Sequence, residues 1–102
     1  MSDRSARYRA TWNGTVLAES DDVVLLEGNV YFPPEALVDE HFTTSGGRSL
    51  CPWKGIARYY DVTVDGSVNR SAAWTYHHPT PLARRIRHRV AFWHGVQVGP
   101  VR

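Results

Sequence analysis

The sequence predicts a mainly β domain, on three observations: short runs rich in valine, threonine and aromatics, glycine-containing turns between them, and scarcely any helical periodicity. The expected architecture is an antiparallel all-β sandwich or open barrel of short strands, with one or two short helical turns. At 102 residues the chain supports one domain. A domain this small buries only about 60 to 65% of its unfolded surface, so the 12% of residues that are aromatic must carry much of the core.

Residues 1–7 show no pattern and are expected to fray, residues 8–98 form the single β domain, and residues 99–102 are a tail. Three hairpins are expected. Tyr8 to Trp12 meets Thr15 to Glu19 across Asn13-Gly14, a two-residue loop that puts Tyr8, Ala10, Trp12 and Leu17 on one core face. Ile56 to Val64 meets Ser67 to Tyr76 across Asp65-Gly66, which sets Asp61 opposite Arg70 as a cross-strand ion pair. Arg89 to Phe92 meets Val96 to Val98 through Trp93-His94-Gly95, with Trp93 at the loop tip. Val23 to Leu26 and Val30 to Phe32 add two strands joined through Glu27-Gly28-Asn29, giving seven or eight strands. Helical turns are expected at Pro34 to Val38 and at Pro81 to Ile86, where Thr80 can cap, and Thr43 to Arg48 reads as a mobile loop around Gly46-Gly47.

All ten acidic residues lie at or before Asp65 together with six of the twelve basic ones, so residues 1–65 carry −4 and residues 66–102 carry +6. Arg84, Arg85, Arg87, His88 and Arg89 crowd together and could attract a phosphate or carboxylate; a short footprint and a net charge of +2 argue against nucleic acid, and part of the cluster should pair with the acidic half. The single cysteine excludes an intramolecular disulfide and a cysteine-rich zinc site. No apolar run approaches the roughly 20 residues of a membrane span and no segment resembles a signal peptide, so the expected compartment is the cytoplasm.

Chemistry concentrates in Cys51-Pro52-Trp53-Lys54-Gly55, which packs a thiol, a rigid turn, a large aromatic, the one lysine and a permissive glycine between a loop and a strand. Lys54 offers a cationic donor or, if desolvated, an amine nucleophile; Cys51 offers a thiolate if a cation lowers its pKa. Each also has a plain structural role, Cys51 as a small buried hydrophobe and Lys54 as an ion-pair partner of Glu35. The double proline of Tyr31-Phe32-Pro33-Pro34-Glu35 can aim the Glu35 carboxylate over a pocket or merely start a helical turn. Trp74 and Tyr76 share a strand face and with Trp53 can line an aromatic pocket, whereas Tyr59 and Tyr60 must point to opposite faces. His77 and His78 diverge, no metal-ligand spacing is present, and neither a metal nor a cofactor is implied.

The succession Ala10-Thr11-Trp12-Asn13-Gly14, Tyr31-Phe32-Pro33-Pro34-Glu35, Cys51-Pro52-Trp53-Lys54-Gly55, Tyr59-Tyr60, Ala73-Trp74 and Val90-Ala91-Phe92 resembles the family catalogued as domain of unknown function 427, over roughly residues 8–98. The resemblance implies a bacterial-type β domain similar to the β-tent folds, in which two antiparallel sheets of short strands lean together over a pocket, and whose wider relatives include methionine sulfoxide reductases, zinc-bearing proteins and a drug-binding module with an aromatic cage. This chain lacks their paired Cys-x-x-Cys ligands, so neither zinc nor reductase chemistry carries over. The family's nucleotidyltransferase-like label needs convergent carboxylates, and here Asp21-Asp22 and Asp39-Glu40 are adjacent pairs whose side chains diverge on an extended strand. By the resemblance, Tyr31, Glu35, Cys51, Trp53, Lys54, Tyr60 and Trp74 are the pocket or core positions.

The leading expectation is a binding module that holds a small polar or anionic ligand against Trp53 and Trp74, near Tyr31 and Tyr60, with Lys54 and Glu35 orienting it. The alternatives are an enzyme of unassigned reaction using Lys54, Glu35 or Cys51, and a protein interaction or homodimerisation domain presenting Trp93 and an unpaired strand edge.

Overall fold

The computed structural model describes residues 6–101. Their nine strands are β1 (Arg7–Trp12), β2 (Thr15–Ser20), β3 (Val24–Leu26), β4 (Asn29–Tyr31), β5 (Phe42–Cys51), β6 (Gly55–Val64), β7 (Ser67–Tyr76), β8 (Val90–Phe92) and β9 (Gln97–Val101), with short 3-10 turns at Pro34–Ala36, Asp39–His41 and Pro81–Ile86. All strand pairs are antiparallel, in a small sheet β2-β1-β9, a large sheet β5-β6-β7-β8 and the hairpin β3-β4. The hairpin prolongs the large sheet, because the Phe32 N–H donates to Val90 O at 2.8 Å and the Val90 N–H donates back at 2.9 Å.

Four tight turns fix this topology, and each needs two successive residues at positive φ: Asn13-Gly14 (51°, 72°), Glu27-Gly28 (54°, 80°), Asp65-Gly66 (50°, 82°) and His94-Gly95 (55°, 89°). That is the backbone of turns whose twist matches a right-handed hairpin, and Asn-Gly and Asp-Gly adopt it most readily. The hairpins at Asn13-Gly14 and Asp65-Gly66 therefore begin as expected, with Trp12 opposite Thr15 and Val64 opposite Ser67.

Between the two sheets lies the main core of Ala10, Leu17, Ala18, Phe32, Val62, Val64, Ala72, Ala73, Val90 and Phe92, with Tyr8, Trp12 and Tyr60 packed half-buried against it. A bulge between Ala10 and Thr11 pairs Ala10 with Ala18 rather than Leu17, which lets the consecutive residues Leu17 and Ala18 both face inward. A second cluster covers the opposite face of the large sheet: Tyr31, Ala57, Trp74, Tyr76 and Ala91, roofed by Ala83 and Ile86 of the last 3-10 turn. β6 and β7 thus have both faces covered over part of their length, which is why residues 72–76 are all buried.

Several expectations change. β8 and β9 do not form a hairpin: β8 pairs with β7 and β9 with β1, because the turn at His94-Gly95 carries the chain from one sheet to the other. Trp93 stands just before the corners of that turn, donating its N–H to Ala72 O at 3.0 Å and its indole N–H to Ser71 O at 2.6 Å. Thr43 to Arg48 belongs to β5, where the three residues 45–47 bulge opposite Tyr59 between the pairs Thr44–Tyr60 and Arg48–Arg58. Asp61 does not pair with Arg70, since β7 bulges there, Ser71 adopts φ 53°, and the Asp61 carboxylate accepts the Ser71 N–H at 2.8 Å. Thr80 does not cap the turn that follows it; its hydroxyl donates to Trp53 O. Residues 99–101 are strand paired with β1, and Arg7 begins β1 opposite Val101; the fraying expected of residues 1–5 lies outside the described residues, as does Arg102.

Candidate functional site

The Cys51–Lys54 turn is clamped rather than loose. The Lys54 N–H donates to Cys51 O at 3.1 Å, the Thr80 N–H donates to Lys54 O at 3.0 Å, and the Thr80 hydroxyl holds Trp53 O. Gly55 permits this approach: it sits at φ 121°, and a Cβ there would come within 3.1 Å of His78 O and 3.4 Å of Pro79 Cα. With its backbone pinned on both sides, the turn delivers Lys54 to the second cluster. The residue is 8% exposed. Its Nζ lies 5.7 Å from the Trp53 ring centroid and 5.6 Å from that of Tyr76, within range for a cation over aromatic rings.

The ammonium is paired with Glu27, whose other carboxylate oxygen accepts the Trp53 indole N–H at 3.1 Å. Glu27 occupies the first corner of the β3–β4 turn at φ 54°, where asparagine, aspartate or glycine is the usual choice. Sequence reading placed Glu27 in a connection and missed it as a site residue. The available signal was the substitution itself: two of the other three turns carry Asn-Gly or Asp-Gly, whereas this one spends its strained corner on a longer carboxylate.

Beyond the ion pair runs a chain of rings. The Trp74 indole N–H donates to Tyr31 Oη at 3.2 Å, with the rings edge-on at 6.3 Å. Trp93 meets Trp74 edge-on at 5.1 Å and stacks on Tyr59 at 6.2 Å with an interplanar angle of 11°. Tyr59 Oη and the Ser49 hydroxyl hydrogen-bond at 2.6 Å. The rings thus grade from fully buried Tyr31 to Trp93, which is 44% exposed.

Electrostatics settle the state of the lysine. Burial pulls its pKa down, but the hydrogen bond to the Glu27 carboxylate, joined at alkaline pH by the charge of the Tyr31 and Tyr76 phenolates, outweighs that pull, and the pKa lies above lysine's ordinary value. Glu27 is held below the carboxylate range by its hydrogen bonds from Lys54 and Trp53. Burial pushes Tyr31 and Tyr76 up, so both phenols keep their protons. At neutral pH the site is a charged pair set among neutral phenols, and Lys54 is an ammonium rather than a free amine nucleophile.

Tyr31, Cys51, Trp53, Lys54 and Trp74 come together as expected, Cys51 half-buried beside the cluster. Glu35 does not join them: it is exposed on the 3-10 turn beside β2, and the carboxylate on Lys54 is Glu27's. Tyr60 points into the main core, edge-on to Phe42 at 6.1 Å, so Tyr59 is the tyrosine on the site's face. A profile of the family described as Domain of unknown function (DUF427) matches residues 1–101. The chain is a DUF427 domain. No curated protein matches it. Among the described residues of this DUF427 domain, no three His, Cys, Asp or Glu side chains converge to hold a metal ion, and no helix is long and apolar enough to cross a membrane.

Proposed function

We propose that this DUF427 domain binds a small polar or anionic ligand at the Lys54–Glu27 centre. A single observation carries the reading: a protonated lysine, 8% exposed, has three donors and is paired with one carboxylate, Glu27, in the hydrogen bonds described. A carboxylate or phosphate group that takes up the remaining donors would be held by charge-assisted bonds. The half-exposed Glu27 would receive a donor group of the same ligand, and Trp53 would offer a face to its flat portion. Cys51, as a thiol, suits this role in the reducing cytoplasm.

A thermal-shift panel of carboxylates, phosphates, nucleotides, amino acids and amines on the wild type and Lys54→Met tests the reading. One class should stabilise the wild type alone, and at about 100 times its Kd the gain is roughly 2.7 kcal/mol. With roughly 4 to 8 °C of Tm per kcal/mol in a domain of this size, that is a rise of about 10 to 20 °C. Equal shifts in both proteins, or none with any class, would refute it.

A further inference from the structure

The opposite side of the Cys51–Lys54 turn carries a second arrangement. A cavity of about 280 Å³ is lined by Gly55, Ile56, Arg58, His77 and His78; the two histidines do not diverge as expected, because the chain bends at 77–78 instead of continuing β7. This is roomy beside the roughly 30 Å³ that a water molecule occupies in the liquid. It is distinct from the Lys54 centre: Arg58 pairs with Thr75 and Tyr59 with Trp74, so successive side chains of β6 leave opposite faces and Arg58 points away from the aromatic cluster. We propose that this cavity binds a tetrahedral oxyanion of the phosphate or sulfate class, held by the Arg58 guanidinium and the His77 and His78 imidazoles.

Charge is the first argument. Arg58 makes no ion pair among the described residues, and its cross-strand neighbour Arg48 is equally without one. Two like charges directly opposite on adjacent strands destabilise a sheet unless something neutralises them. Pre-organisation is the second. His77 Nδ1 lies 2.9 Å from His88 Nδ1, and His88 is itself fixed by its N–H bond to Tyr76 O at 2.9 Å. Arg87 Nε reaches His77 O at 3.3 Å. A guanidinium offers a planar fork of donors matched to an oxyanion, and each protonated imidazole adds one more. The groups facing His77 are Arg58 from β6, His88 and Arg87 from the segment after the last 3-10 turn, and its neighbour His78, all basic. Desolvation first, then His88, Arg58 and His78, hold the His77 pKa below its ordinary value, as an uncompensated positive site should. Ile56, 51% exposed, gives the cavity an apolar wall on which the organic part of a phosphate ester can rest.

The test follows the histidine Cε1–H resonances by NMR while sulfate is added at constant ionic strength with chloride as the reference salt. Sulfate stays a dianion between pH 5 and 8, so any pH dependence belongs to the protein. His77 and His78 should shift saturably, the His77 titration midpoint should rise when sulfate is bound, and affinity should grow as pH falls through the histidine range. Arg58→Gln, at an exposed position, should weaken binding by about 10- to 100-fold, whereas Lys54→Met should leave it unchanged. A parallel titration with inorganic phosphate and phenyl phosphate at pH 5, where both are largely monoanions and the imidazoles carry more protons, identifies the source, since tighter binding of the ester marks an esterified phosphate and equal binding a free anion. Shifts that are linear, that chloride reproduces, or that survive in Arg58→Gln would overturn the proposal. A response abolished by Lys54→Met would do the same and return the anion to the other centre.

Discussion

Neutralising the two members of the Lys54–Glu27 pair should have unequal effects on stability. In Glu27→Gln the amide nitrogen must face either Lys54 Nζ or the Trp53 indole N–H, and both are donors only. One of them loses its acceptor, and the ammonium, 8% exposed, loses its counter-charge. Water can serve the partly exposed indole, so the cost falls on the ammonium: a buried charge stripped of its partner costs about 1 to 3 kcal/mol, a fall in Tm of roughly 5 to 20 °C for a domain of this length. Lys54→Met removes the buried charge itself, fills the space beside Trp53 and Tyr76 with a flexible apolar chain, and leaves a half-exposed carboxylate that water and Trp53 still satisfy. Its stability should stay within about 1 kcal/mol of wild type, and the double variant should recover most of the loss. Thermal unfolding followed by circular dichroism on the four proteins measures the cycle. A Lys54→Met protein less stable than Glu27→Gln, or a double variant as unstable as the two losses added together, would refute the reasoning.

Three further outcomes are expected. Gly55→Ala should lower stability by about 2 to 4 kcal/mol, from strain at φ 121° and the 3.1 Å approach to His78 O, read as a lower urea midpoint with an unchanged slope. Trp93→Ala removes the ring pairs with Tyr59, Trp74 and His94 and uncovers Trp74, an expected loss of about 1 to 3 kcal/mol with a shift in the remaining tryptophan emission. Stability should form a plateau between roughly pH 6.5 and 10. On the acid side, the depressed His77 is protonated first in the unfolded chain below 6.5, and the depressed Glu27 and Glu19 add their losses below 4.5. On the alkaline side, Tyr31 and Tyr76, raised from 10.0, and Lys54, raised from 10.5, lose their protons first in the unfolded chain, so stability falls as pH rises through their folded values. Denaturant midpoints across pH check the plateau, and a maximum below pH 5 would contradict it.

Local chemistry explains which features could be read without coordinates. Asn13-Gly14 and Asp65-Gly66 name their own turn type, so two hairpins and their starting registers were legible. The bulges at Ala10, Ser71 and residues 45–47 were not, because a bulge depends on which side chains the opposite sheet can accommodate. Val90-Ala91-Phe92 shows why sheet membership escapes sequence: its apolar pattern suits β7 and β9 equally, and only closure of the main core assigns it to β7. The same distinction governs the site. Residue type marks Trp53, Lys54 and Trp74, and the turn marks the first two, yet the sequence points to Glu35 as the partner of Lys54, because a double proline there can aim a carboxylate. The pair is instead made 27 residues upstream, by a glutamate whose turn backbone turns it toward the lysine.

The most direct test of a ligand site at Lys54 is an NMR titration of the four tryptophan indole N–H signals with the compound class that stabilises the wild type. The Trp53 indole, bonded to the same carboxylate as Lys54, should move saturably and show no such response in Lys54→Met. Saturable movement confined to the other three indoles, or a Trp53 response that persists without the lysine, would contradict the assignment.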